Sequence, residues 1–329
     1  MPSYVNDKLL VPFDEDMFDG KHRLSTSDFN DIYPEFLKNT KYDNKYYSIP
    51  FSKSVQILYY NKHLLNKYHL SVPHDWHDFQ KMRHKLPHNV VLVSCNKSLA
   101  PEYTALSKAA GTYPVNAALK ANITDQASYE AANTLATLAK QKAITLPKGN
   151  YGDQLFKDGK AVFYIGSSTV IANMRGAHFK WSTAPLPMFH NHQATTIGGN
   201  NIVMFNSATP QQRQGAWAFI SYLISERGNL QWTQATGYLP IRKSVAASKP
   251  YHNFLQQYPY YQAGITSLQF ASQTPAFNGY ETFYQLEKQM LQKIVTKHVD
   301  IRQQLQILQN KTINILKKII HNKNNRDVN

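Results

Sequence analysis

One short stretch constrains the fold of this chain more than any other. Residues 234–243 read Gln-Ala-Thr-Gly-Tyr-Leu-Pro-Ile-Arg-Lys and follow a long segment with apolar residues at helical spacing. Gly237 stands where a helix C-cap needs a left-handed residue, and Pro240 follows where a helix cannot continue. The pattern predicts that a helix ends at Gly237 and that Tyr238 sits on a rigid corner.

The length of the chain favours two lobes. At 329 residues it exceeds the size at which a single core usually stops growing. Its apolar fraction of 42% is typical of a globular protein rather than a disordered one.

The charge is strongly basic, with 36 Lys and Arg against 21 Asp and Glu. The basic concentration at 288–323 alternates with Ile and Leu at helical spacing, rather than with Gly or stacking aromatics. We therefore interpret it as a solvated helix face and expect no nucleic-acid partner.

The sequence offers no recognisable catalytic or cofactor motif. Cys95 is the only cysteine, which excludes an intramolecular disulfide and a thiolate metal cluster. The 13 histidines lack a metal-ligand spacing, and no P-loop, Gly-x-Gly-x-x-Gly or Gly-x-Ser-x-Gly motif is present. We expect no metal and no cofactor.

The apolar patterns indicate neither a membrane span nor an export signal. No apolar run approaches the roughly 18 residues that a spanning helix needs. The segment Met1–Asp7 has neither a basic nor an apolar signal region. For the chain as given, a cytoplasmic location is therefore one of the two alternatives.

Several segments have a clear local pattern. We expect a helix over 27–38, a turn at 42–45 between extended pieces, and two strand pieces over 46–62 that are interrupted at Ser52–Ser54. A further helix is predicted over 211–228, with these residues facing inward: Ala216, Phe219, Ile220, Leu223 and Ile224.

A strand over 161–165 runs into Gly166-Ser167-Ser168-Thr169 and a helix start at Val170. Such a turn presents N–H groups and hydroxyls to a ligand. Plain N-capping is the alternative interpretation.

Five ordered stretches together resemble the family 1 extracellular solute-binding proteins of ABC importers, in particular the branch that binds glycerol 3-phosphate and its diesters. They are Ile49–Phe51 with Ser54 and Leu58–Lys62; Phe156–Ala161 with Ser167, Ser168, Ala172 and Asn173; Ile197–Gly199; Trp232 with Thr236–Ile241; and Pro275–Gly279.

The resemblance implies a two-lobed α/β fold of the type II periplasmic-binding-protein kind. The first lobe would comprise 1–54 with 198–238, and the second 55–197 with 239–329. Hinge crossings would lie near 51–57, 197–203 and 238–242. A small-molecule solute would bind between the lobes of a monomer, and closure would present it to an ABC permease.

The resemblance also implies ligand contacts at Ser54, at Ser168 or its neighbour Ser167, at Gly199 and at Tyr238. Each has a structural alternative: Ser54 interrupts a strand, Gly199 serves packing, and Tyr238 is a buried corner residue.

Two departures bear on the ligand. Glu281 follows Gly279-Tyr280 where the branch has an arginine that clamps phosphate, and 96–110 lacks the tryptophans of the branch. Glu281 would suit sugar hydroxyls, so a neutral carbohydrate competes with a phosphoester. A glycan-acting enzyme that uses Glu281 is the alternative function.

Members of this family begin with a lipoprotein or secretory signal and a βαβ portion, and are membrane-anchored outside the cytoplasm. The resemblance therefore predicts an incomplete first lobe, and a nonfunctional fragment is the third alternative.

Overall fold

The computed structural model describes residues 1–20, 22–174, 176–297 and 299–324, and for 320–324 the backbone alone. Two sheets are present. A small antiparallel hairpin joins β1 and β2, and a seven-stranded sheet has the order β5-β4-β6-β3-β8-β9, with β7 also pairing with β3. The strands are β1 (Lys41–Tyr42), β2 (Lys45–Tyr46), β3 (Ile49–Asn61), β4 (Val91–Cys95), β5 (Ile144–Thr145), β6 (Ala161–Ser167), β7 (Trp181–Ala184), β8 (Thr195–Ile202) and β9 (Ala271–Ser272).

Helices cover both faces of the large sheet. They are α1 (Pro2–Asn6), α2 (Asp14–Phe18), α3 (Thr26–Asp31), α4 (Pro34–Leu37), α5 (Lys62–Lys67), α6 (Asp78–Arg83), α7 (Ala100–Ala109), α8 (Gln126–Lys140), α9 (Asp153–Lys157), α10 (Pro210–Leu223), α11 (Glu226–Thr236), α12 (Lys243–Ala247), α13 (Lys249–Gln257), α14 (Gln262–Ser267), α15 (Tyr280–Lys297) and α16 (Ile301–Asn324).

Three groups of buried apolar side chains hold the molecule together. The largest lies where α7, α8, α15 and α16 cover one face of the sheet, and includes Leu58 and Phe163. The second lies on the opposite face with α9, α13 and α14, and includes Ile57. The third joins segments 13–49 and 204–241 around Phe36 and Trp217.

The predicted corner at Gly237 is confirmed. Gly237 is the left-handed C-cap of α11 with a φ of 78°, and its N–H donates to the Thr233 carbonyl at 2.9 Å. The turn at 42–45 is also confirmed as the β1–β2 hairpin, where Asp43 and Asn44 take φ values of 46° and 63°.

Three local predictions were wrong. Residues 49–61 form one continuous strand, because Ser52, Lys53 and Ser54 pair in regular register with β8. The one register shift, a β-bulge, lies earlier, between Pro50 and Ser52. The helix expected over 27–38 divides into α3 and α4, because Pro34 lacks the N–H that a continuous helix needs. The helix over 211–228 likewise divides at Ser225, which caps α11.

Phe219 was predicted to face inward and is instead 61% exposed on α10, whereas Trp217 is buried at 3%. The inward face of this helix is therefore rotated from the one that apolar spacing predicted.

Candidate functional site

The site is built where three chain segments run side by side. At Lys53, β3 pairs with Gly199 of β8 along one edge and with Leu239 along the other, and the Leu239 N–H donates to the Lys53 carbonyl at 2.7 Å. Beyond Lys53, β6 takes over the edge that Leu239 occupies, with Ser167 opposite Gln56. Tyr238 and Ser167 therefore lie toward the same edge of β3.

The backbone geometry at position 199 requires a glycine. Its φ is +100°, and a Cβ there would overlap the Ser52 carbonyl oxygen at the β-bulge. Residues other than glycine rarely adopt this conformation. Gly199 is exposed, so its backbone is also open to a ligand.

Ser168 and Ser54 are both buried close to the crossings. The Ser168 Oγ accepts a hydrogen bond from the Val55 N–H at 3.4 Å, which ties the turn after β6 to β3. A Cβ on Gly264 would lie 3.6 Å from Ser168 Cβ and 2.9 Å from Leu239 Cδ2, so Gly264 spaces this turn from the third crossing. Ser54 lies opposite Gly198.

Ser167 is partly buried, and its Oγ accepts a hydrogen bond from the Thr169 N–H at 3.3 Å. Its Oγ lies 2.9 Å from Thr169 Oγ1, and its carbonyl oxygen accepts from the Tyr59 hydroxyl at 2.6 Å. Of the two neighbouring serines, Ser167 is the more accessible.

Tyr238 belongs to a row of aromatic rings. Its ring stacks on Trp232 with centroids 6.3 Å apart and planes 11° from parallel, and Trp232 in turn lies 4.6 Å from Phe51. The Trp232 Nε1 is buried without a hydrogen-bond partner. Aromatic faces of this kind are common linings of ligand sites. Phe51 and Trp232 stood within the quoted motifs, but their stacking was not predicted.

Lys53 is a functional candidate that the sequence interpretation missed. It is only 3% exposed, and its ammonium donates a hydrogen bond to Asn201 Oδ1. Burial lowers its pKa to about 8. Its place in the middle of the first crossing could be inferred from the sequence, but its burial could not.

Polar side chains also gather near the carboxyl ends of β4 and β6. Asn96 Oδ1 accepts from the Gly152 N–H at 3.0 Å and from the Tyr164 hydroxyl at 3.2 Å. The Ser98 hydroxyl lies 3.0 Å from that of Tyr284 on α15. Ligands of open α/β sheets bind at such strand ends.

Glu281 stands apart from this group. It is exposed in the first turn of α15, and its Oε1 accepts from Gln285 Nε2 at 2.8 Å within the same helix. The structure thus brings Ser54, Ser167, Ser168, Gly199 and Tyr238 to the crossings. Among the described residues, Glu281 makes no hydrogen bond or ion pair with them.

The described part of the chain contains no group of three or more His, Cys, Asp or Glu placed to hold a metal ion. None of its helices is long and apolar enough to cross a membrane.

A family model described as bacterial extracellular solute-binding protein matches residues 1–259. The chain belongs to this family. The predicted family is thereby confirmed, and its members are binding proteins rather than enzymes, so the alternative of a glycan-acting enzyme finds no support.

Solved structures confirm the two-lobed α/β fold. UgpB from Mycobacterium tuberculosis, in complex with glycerophosphocholine, matches with a TM-score of 0.84 at 19% identity, over 97% of this chain and 82% of that one. The GacH receptor of Streptomyces glaucescens, solved unliganded and with acarbose, matches with a TM-score of 0.84 at 17% identity, over 96% and 81%.

In sequence, the sn-glycerol-3-phosphate-binding periplasmic protein UgpB of Shigella flexneri is 25% identical over 218 residues, or 60% of this chain. The chain spans about half the length of the curated relatives it matches, 56% and 49%.

Proposed function

We propose that this protein is the solute-binding component of an ABC importer, which binds a hydroxyl-rich small molecule between its lobes and delivers it to a membrane permease. One observation carries the proposal: three segments cross side by side at Lys53, and they place Tyr238, Ser167 and Ser168 beside the same edge of β3. Lobes joined in this way can rotate about the crossings and close on a ligand.

The lobes of the proposal comprise residues 1–54 with 198–238 and residues 55–197 with 239–329. The third apolar cluster supports this division, because it joins the N-terminal segment to α10. It also includes Ile241, just beyond the boundary at 238. We expect the protein to act as a monomer. The description of its family supports a location outside the cytoplasm.

The proposed ligand contacts are Tyr238, Ser167, Ser168, Ser54, Gly199 and Glu281. The row of rings formed by Phe51, Trp232 and Tyr238 offers an apolar face suited to a sugar ring. Neutral carbohydrates and glycerophosphodiesters are the two candidate classes, and they are the kinds of ligand in the GacH and UgpB structures.

A thermal-shift screen of the full chain against both classes, including acarbose, maltose and glycerophosphocholine, tests the proposal. At a solute concentration about 100 times Kd, binding stabilises the folded state by about 2.7 kcal/mol. A rise in Tm that saturates with one solute supports the function, and no rise with any solute contradicts it.

Tyr238→Ala tests the site itself. We expect it to weaken binding of the solute found in the screen by at least tenfold, measured by calorimetry, because it removes one face of the aromatic row. Tyr222→Ala is the matched control, since Tyr222 is exposed on α10. Equal affinities of the two variants would contradict the placement of the ligand beside Tyr238.

A further inference from the structure

A pocket of about 380 Å³ opens at the amino end of β4, between the end of α6, the segment after α8 and the last turns of α15. We call it the basic pocket. Val91, the first residue of β4, lines it, whereas Asn96 follows the carboxyl end of the same strand. The five residues of β4 span roughly 15 Å. The basic pocket therefore lies at the opposite end of the strand from the polar side chains around Asn96.

The ionisable side chains that line this pocket are all basic. They are Arg83, His88 and Lys142, and in the part of the chain that the structure describes no aspartate or glutamate lines the pocket. None of the three forms an ion pair with a described residue. Basic groups gathered around one pocket create a positive potential that attracts an anion.

Arg83 is held in place by carbonyl groups alone. It is only 8% exposed, and its Nη1 donates to the Val90 carbonyl at 2.7 Å. Its Nη2 donates to the carbonyls of Leu86 at 3.1 Å and Pro87 at 2.7 Å. A guanidinium has five N–H donors, so two have no partner among the described residues. The carbonyls orient the group without neutralising its charge, and an oriented guanidinium suits a phosphate or carboxylate.

Lys142 stands in a backbone conformation that favours glycine. It follows the C-cap of α8 with a φ of 56°, and its N–H donates to the Ala139 carbonyl at 2.9 Å. Glycine is the usual residue at such a position, because other residues are strained there. A glycine would relax the backbone, but only the lysine brings an ammonium to the pocket.

The rest of the lining is largely apolar. Ile144 and Val295 are buried at 4% and 8%, and Val90, Val91 and Leu146 are partly buried. A pocket with apolar walls and a few charged groups takes a ligand with both characters.

We infer that the basic pocket binds a small organic anion, a phosphate monoester or carboxylate on a compact apolar body. Arg83 and Lys142 bind the anionic group, and Ile144 and Val295 pack against the apolar body. This second site does not depend on the proposed function, since it lies at the end of β4 away from the proposed contacts.

Calorimetry of the full chain with phenyl phosphate tests the inference, with phenol and inorganic phosphate as the two halves of the probe. At physiological ionic strength the parent should bind phenyl phosphate at least about tenfold more tightly than either half. No binding of phenyl phosphate, or an affinity equal to that of phenol or of inorganic phosphate, would overturn the inference.

Lys142→Gly separates binding from folding. We expect it to weaken phenyl phosphate binding by at least about tenfold, while the Tm of the free protein stays the same or rises because the strain is relieved. Lys140→Ala is the control, since Lys140 is exposed at the end of α8 and does not line the pocket. It should change affinity less than about threefold. An unchanged affinity in Lys142→Gly, or an equal loss in both variants, contradicts a site in this pocket.

Tyr238→Ala shows which site the probe occupies. It should bind phenyl phosphate as tightly as the parent does, whereas a tenfold loss would place the probe beside Tyr238 and overturn the inference. A failure of the solute screen would contradict the proposed function and leave this result unaffected.

Discussion

Gly199 is a position where the backbone leaves no room for a side chain. Because its φ is +100° and a Cβ would overlap the Ser52 carbonyl oxygen, Gly199→Ala must either unfold the bulge or move β8 away from β3. We expect a loss of about 1–3 kcal/mol in the free energy of unfolding, measured by urea denaturation.

Gly215→Ala is the control for this substitution. Gly215 lies on an exposed part of α10, and a Cβ there meets no atom within 4 Å. Alanine favours a helix over glycine by about 1 kcal/mol, so this variant should be as stable as the parent or more so. If the two variants have the same stability, the close approach at Gly199 does not constrain the fold.

Lys53 is buried in the structure, although nothing in the local sequence pattern indicated that it would be. The motif Ser52-Lys53-Ser54 was interpreted as a break between strands, because small polar residues usually interrupt them. In the fold, Lys53 is buried where all three segments meet. Burial of a side chain depends on neighbours distant in sequence, which the local pattern does not contain.

Two buried glutamates make α7 and α15 sensitive to pH. Burial raises the pKa of Glu102 and of Glu287 from 4.5 to about 8. Glu102 Oε2 and Glu287 Oε1 both lack a hydrogen-bond partner. Between pH 4.5 and 8 the folded protein therefore retains protons that the unfolded chain has lost. Stability falls as pH rises through this range, by an amount on the order of a few kcal/mol.

Glu102→Gln/Glu287→Gln should flatten this decline, because an amide does not ionise. Thermal unfolding measured at pH 5 and at pH 8 should show a larger drop in Tm for the parent than for the double variant. Glu281→Gln is the control, since Glu281 is exposed on α15. A drop of equal size in the parent and the double variant would show that other groups cause the pH dependence.

Elements were predictable where a local signal determined them. Gly237 and Pro240 ended α11 as expected, since a C-cap and a proline act on their own neighbours. The inward face of α10 was wrong at Phe219, because the surface a helix turns inward depends on what the rest of the chain places beside it. The hydrogen bond between Asn39 and Gln273, which are 234 residues apart, has no local signal in the sequence.

Chain length favoured two lobes, and the family resemblance supplied the type of two-lobed fold. It also directed attention to Tyr238, Ser168 and Gly199, and the structure brings these residues to the crossings. The structure also gives both residues a structural role. Ser168 accepts a hydrogen bond from β3, and Gly199 lies against the β-bulge. Their part in ligand binding stays a prediction.

The arrangement of the two lobes gives the protein its proposed mechanism. In the proposed division, the first and second clusters lie in one lobe and the third lies in the other, apart from Ile241. The connecting segments pass through β3, β8 and the corner at Tyr238. Separating the two lobes exposes little apolar surface when the apolar clusters stay intact. Rotation about these segments is therefore the motion that the fold favours.

Small-angle X-ray scattering of the full chain, titrated with the solute found in the screen, tests this mechanism most directly. We predict that the radius of gyration falls as solute is added, with the same midpoint as the heat of binding, and that Tyr238→Ala shifts both midpoints to higher concentration. A radius of gyration that stays constant while the binding heat saturates would contradict closure of the lobes on the solute.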